Sequence, residues 1–123
     1  MSIVRLKGVT LSCPEPAELA EFYRRLTGGE VVFSSPDFVY LAADPIGMAF
    51  QRTEDCSAPS WPDPGHPGQM HLDFNVAEPA QLDTIEAEVL ALGATSAEQQ
   101  PRPHRWRVML DPIGHPFCLS SMS

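Results

Sequence analysis

The sequence predicts an α+β fold made of two tandem βαβββ modules, and three observations carry the prediction. The tetrapeptide DPIG occurs twice, at Asp44 and at Asp111, 67 residues apart. "EPAEL" from Glu15 returns in the same order as "EPAQL" from Glu78, 63 residues later. In each half the apolar pattern reads strand, helix and then three strands, so the repeat extends beyond two short matches. A small insertion in the second half accounts for the difference between the two shifts.

The first half opens with "VRLKGVTLS" from Val4, which alternates as a strand does. Pro16 then suits the first turn of a helix, where a missing N–H costs nothing. Leu19, Phe22, Tyr23 and Leu26 follow at helical spacing as one apolar stripe, and Gly28 and Gly29 end it. "EVVFS", "DFVYLA" and "MAFQRT" are three short β-rich runs separated by Ser-Pro and Asp-Pro-Ile-Gly. The second half begins with "MHLDFNV" and continues with a helix from Pro79 carrying Leu82, Ile85, Val89 and Leu92, stopped at Gly93. A weak strand near Ala94–Glu98, then "RWRVML" and "PFCLSS", complete the plan.

At 123 residues and 43% apolar content, the chain suits one domain, residues 1–123, with modules at about 1–53 and 69–123 and a linker at 54–68. The linker region, "TEDCSAPSWPDPGHPGQ", holds four prolines and has no period. A net charge of −8 with only eight Lys and Arg excludes nucleic acid as the expected partner. It leaves neutral or cationic small molecules open, and an acidic surface also serves solubility alone. No run approaches the roughly 20 apolar residues that span a bilayer, so no membrane partner is expected. Arg5 and Lys7 interrupt the only apolar start, which rules out the core of a signal peptide. Cys13, Cys56 and Cys118 are odd in number and far apart, as expected of reduced thiols in the cytoplasm.

Together the two modules, the helix start followed by "FYRRLTGGE", the "HLDFNV" strand and the terminal "LDPIGHPFCL" resemble the vicinal oxygen chelate superfamily. That group includes glyoxalase I, extradiol dioxygenases, fosfomycin-modifying enzymes and bleomycin-resistance proteins. Small glyoxalase-like proteins with a "WPDP" linker, here Trp61–Pro64, are the nearest likeness. The resemblance implies that the modules form a curved mixed-sheet cup whose concave face binds a small molecule. It also implies a homodimer.

Period two sorts the side chains of the cup. Leu72, Phe74, Met48, Phe50, Phe117 and Leu119 are expected to meet the helices, which turns His71, Asp73, Asn75, Gln51, Cys118 and Ser120 inward. Metal-dependent members of the superfamily draw ligands from the first and last strands of each module. The repeat sets Gly8 opposite His71 and Gln51 opposite Cys118 at those positions. Gly8 has no donor, Gln51 only an amide oxygen, and Cys118 a soft thiol, so no metal cofactor is expected; His71 with a thiolate suits at most weak zinc or copper, and a hard divalent ion is poorly served by this set. Asp73 shares the face of His71 and is an alternative donor.

His71 is the candidate for proton transfer, or else a lining residue that hydrogen-bonds its neighbours. Cys118 is either a small buried apolar residue or a thiol served by His71. If Val108 and Leu110 pack on the helix, Arg105 and Arg107 point inward with Tyr40, the repeat partner of Arg107, and can fork onto an anionic group of a ligand. Otherwise they are solvated arginines of an edge strand. His66, His104 and His115 lie beside prolines at no metal-ligand spacing. Two function classes follow: a lyase or isomerase using His71 with a degenerate metal site, and a non-catalytic protein that sequesters a drug or metabolite.

Overall fold

The computed structural model describes residues 2–54 and 70–121. The chain divides into two compact units, residues 1–57 and 58–123. Nearly all of the expected linker, with Cys56, His66 and Trp61–Pro64, lies outside the described residues.

The first unit runs β1 (Gly8–Cys13), α1 (Pro16–Thr27), β2 (Glu30–Ser35), β3 (Phe38–Ala42) and β4 (Gly47–Arg52). The second runs β5 (Leu72–Asn75), a single 3-10 turn at Pro79–Gln81, α2 (Leu82–Ala91), β6 (Thr95–Ser96), β7 (Trp106–Leu110) and β8 (Pro116–Ser120). Each unit has one four-stranded mixed sheet, in the order β1-β4-β3-β2 and β5-β8-β7-β6. First and last strands pair in parallel, while the remaining neighbours are antiparallel. Two tandem βαβββ modules are therefore the architecture.

In the first module α1 buries Leu19, Ala20, Phe22 and Tyr23 against the sheet. Tyr23 stacks on Phe50 of β4 at 5.7 Å and meets Phe22 edge-on at 4.9 Å. Val39 and Leu41 pair with Phe50 and Met48 and share their face. The helix ends at Gly28, whose φ of 75° turns the chain and lets its N–H bond the Arg24 carbonyl.

The first strand is shorter than its pattern suggested. Ile3, Val4 and Leu6 are exposed and precede β1, because the partner β4 begins at Gly47, opposite Gly8. Only the Gly47 N–H, bonding the Lys7 carbonyl, extends the ladder beyond that pair.

In the second module Phe117, Leu119 and Met109 form the core, with Phe74 edge-on to Phe117 at 5.6 Å. Helix α2 buries only Leu82 and Val89, and a polar clamp supplements them. Arg107 of β7 bonds Glu86 and Asp83 of α2 and the Pro103 carbonyl. The amide of Gln100 bonds both the N–H and the carbonyl of Val108, capping the edge of β7 beyond the two-residue β6.

The two DPIG turns hold the same place and differ in form. Gly114 has φ 97° and bonds back to the Asp111 carbonyl, with the buried Asp111 carboxylate accepting from the N–H groups of Ile113 and His115. Gly47 lies outside the left-handed region and opens β4 directly. The backbone at these two glycines therefore differs, although both turns feed the strand that pairs with the first strand of the module.

Candidate functional site

The site is built on two short parallel strands. β5 and β8 pair with Asp73 opposite Cys118, and His71 precedes Asp73 by two residues, so all three share one face. The opposite face carries Leu72, Phe74, Phe117 and Leu119. Ala97, Val108 and Cys118 are buried together with Trp106 packed against them, giving the polar residues an apolar wall on one side.

His71 Nε2 lies 3.4 Å from Asp73 Oδ1, and both side chains are largely exposed. The Cys118 thiol is buried. Burial, followed by the negative charge of Asp73 and a hydrogen bond to it, pushes the thiol pKa up to about 11. At neutral pH Cys118 is therefore a protonated thiol and a poor nucleophile by itself. One ligand atom from each of His71, Asp73 and Cys118 lies within 4.8 Å of the other two. Among the described residues this is the one such group of three.

The other candidates are placed differently. Gln51 pairs with Ser12, and Tyr40 with Ala49, on the face of the first sheet that points away from α1. A Cβ on Gly47 would lie 2.1 Å from the Tyr40 hydroxyl, so Tyr40 crosses the place a side chain would occupy. A Cβ on Gly8 would stand 2.6 Å from the Gly47 carbonyl oxygen, so close backbone approach takes the space where the resemblance implies a ligand.

Strand register also revises the pairing of the halves. If Gln51 is matched to Cys118, their parallel partners match Ser12 to Asp73, and Thr10 rather than Gly8 takes the place of His71. The same match gives Tyr40 the counterpart Leu110, not Arg107.

The inward orientation expected of Arg107 is corrected. Arg107 faces α2 and is held by Asp83 and Glu86, while Val108 lies on the Cys118 face. Arg105 is exposed in the turn before β7, where its N–H bonds the Arg102 carbonyl. Asp83 and Glu86 were missed as its neighbour's partners. Their signal was present as two carboxylates three residues apart on one helix face. Trp106 was missed as a wall residue, although it stands two positions before Val108.

The comparisons with known proteins follow this geometry. The family model described as "Glyoxalase-like domain" matches residues 8–120. The chain belongs to the glyoxalase-like family. A comparison with curated protein sequences finds no match. Among solved structures, a glyoxalase/bleomycin resistance protein/dioxygenase family enzyme from Burkholderia phytofirmans aligns with a TM-score of 0.74 at 19% identity, covering 94% of this chain and 97% of that one. The fosfomycin resistance protein FosX from Mesorhizobium loti aligns at 0.73 and 18%, covering 99% and 94%. A variant of FosX from Listeria monocytogenes, complexed with Mn(II) and a dihydroxypropylphosphonic acid, aligns at 0.73 and 16%, covering 99% and 95%. At these identities the likeness is one of fold.

The Mn(II) of that FosX complex sets a test for the glyoxalase-like chain. Mn(II) suits carboxylate, carbonyl and water oxygens, with imidazole alongside. This chain presents one imidazole, one carboxylate and a thiol, and the thiol does not fit an ion of that kind. The expectation that no metal binds rested on counting His71 as the lone conventional ligand, and the meeting of Asp73 with Cys118 removes that basis.

Proposed function

We propose that this glyoxalase-like chain is a cytoplasmic protein that binds a small organic molecule on the β5–β8 face, with His71 exchanging a proton with it in a lyase or isomerase type of reaction. The observation that carries the reading is the convergence of His71, Asp73 and Cys118 on one strand face. Asp73 is placed to orient the imidazole. The thiol, held neutral, donates a hydrogen bond beside an apolar wall of Trp106 and Val108. Arg107 has no part in the site, and Tyr40 and Gln51 are ligand contacts only in so far as the first module contributes. Among the described residues no helix is long and apolar enough to cross a membrane, in keeping with a partner met in solution.

A second reading, sequestration without turnover, is favoured by the protonated state of Cys118, which leaves His71 as the single group with a free hand for chemistry. A homodimer is part of the proposal. Its support is β2, an edge strand that leaves Val31, Val32 and Phe33 exposed, the kind of edge that a second copy covers.

The test is a thermal-shift screen of small metabolites and antibiotics on chelator-treated protein, repeated with His71→Ala and Asp73→Asn. Stabilisation that disappears in both variants supports the site, and shifts that persist in both place binding elsewhere. Mass spectrometry of the recovered compound then separates the readings, since product marks an enzyme and unchanged compound marks sequestration.

A further inference from the structure

The three donors at the start of β5 and the middle of β8 have a chemistry of their own. Imidazole nitrogen, carboxylate oxygen and thiolate sulfur are the mixed set that zinc-class ions take, at about 2.0–2.3 Å each, with a fourth position left to water or substrate. On a tetrahedral ion such atoms stand roughly 3.3–3.7 Å apart, as those bond lengths require. His71 Nε2 and Asp73 Oδ1 are already 3.4 Å apart, and the whole set falls within 4.8 Å. His71 and Asp73 are exposed and can turn, whereas Cys118 is a fixed, buried wall.

We infer that the second module binds a thiophilic divalent cation of the zinc class through His71, Asp73 and Cys118, and discriminates against Mn(II). The inference deepens the proposed function and rests on the same face being the site. All three ligands come from a single module, so Gly8 and Gln51 need contribute nothing. On uptake of the ion the Cys118 S–H bond breaks, a sulfur–metal bond forms and the proton passes to solvent. The fourth position then faces the bound small molecule.

The experiment titrates the chelator-stripped full chain with Co(II) as a spectroscopic stand-in. A thiolate-to-cobalt charge-transfer band in the near ultraviolet, saturating at one ion per chain and displaced by Zn(II) but not by the same concentration of Mn(II), is the expected result. Cys118→Ser should abolish the band, and Asp73→Asn should weaken Zn(II) binding at least about tenfold, in line with the loss of a metal-site partner. A band that survives Cys118→Ser, or displacement by Mn(II) as readily as by Zn(II), overturns the inference. Should Cys118→Ser fail to fold, Asp73→Asn decides, because its side chain is exposed, and unchanged Zn(II) affinity there is equally fatal. Failure of the cation site alone leaves the thermal-shift response of the chelator-treated protein intact, whereas failure of the proposed function removes that response.

Discussion

The two modules share a strand order and spend it differently. On the face away from its helix, the first sheet carries Gly8, Gly47 and Ala49 beneath Tyr40; the Gly47 carbonyl fills the space at Gly8 and the Tyr40 side chain fills that at Gly47. The matching face of the second sheet carries His71, Asp73 and Cys118. Helix attachment contrasts in the opposite sense: α1 is packed through Phe22 and Tyr23, while α2 buries two aliphatic side chains and relies on Arg107. A duplicated frame thus permits one copy to become a packed support and the other to keep ionisable groups.

The largest expected effect tests the packed helix. Tyr23→Ala removes a fully buried ring stacked on Phe50 and should destabilise the protein by about 3–5 kcal/mol, read from the urea midpoint. Val89→Ala on α2 should cost less, and an equal cost would erase the contrast between the helices.

Placing a side chain at Gly8 in the first module comes next. Gly8→His forces a Cβ against the Gly47 carbonyl and should cost about 1–3 kcal/mol, as overpacking does. His71→Ala, at an exposed position of the second module, should stay within about 0.5 kcal/mol. A melting temperature unchanged by Gly8→His would show that the close approach of the Gly47 carbonyl is not a packing requirement.

The polar clamp of α2 is of similar size. Arg107→Met should lower stability by about 1.5–3 kcal/mol through lost charged hydrogen bonds. In a double-mutant cycle the half-shielded Glu86 should account for most of the coupling. Asp83, whose side chain is 88% exposed, should contribute less than about 1 kcal/mol.

The frame was legible in the sequence because DPIG and EPAEL mark the same joints in each half, and because the Leu19, Phe22, Tyr23 stripe has one period and one face. The arginines were not legible. Trp106, Val108, Met109 and Leu110 put apolar side chains on both faces of β7, so period two cannot say which face meets α2, and the choice of Val108 as a helix contact inverted the strand. The neighbourhood of Asp73 and Cys118 was half visible. Each was expected on the inward face, but the register that sets them side by side belongs to two strands distant in sequence and is written in neither.

The smallest predicted effect concerns that pair and bears directly on how the second module holds its thiol. Alkylation by iodoacetamide follows the thiolate fraction, so with the pKa pushed up to about 11 Cys118 should react slowly at neutral pH and faster with each rise in pH toward that value. Burial is the first cause and Asp73 the second. Asp73→Asn removes the negative charge that opposes a second one on sulfur, which lowers the thiol pKa and raises the rate at fixed pH several-fold, without restoring the reactivity of an exposed cysteine. Peptide mass spectrometry of chelator-treated protein distinguishes Cys118 from Cys13, which is buried in the first module and should not respond to the substitution. If the Cys118 rate is the same in both proteins, burial alone keeps the thiol protonated, and Asp73 is then a neighbour of Cys118 rather than a partner to it.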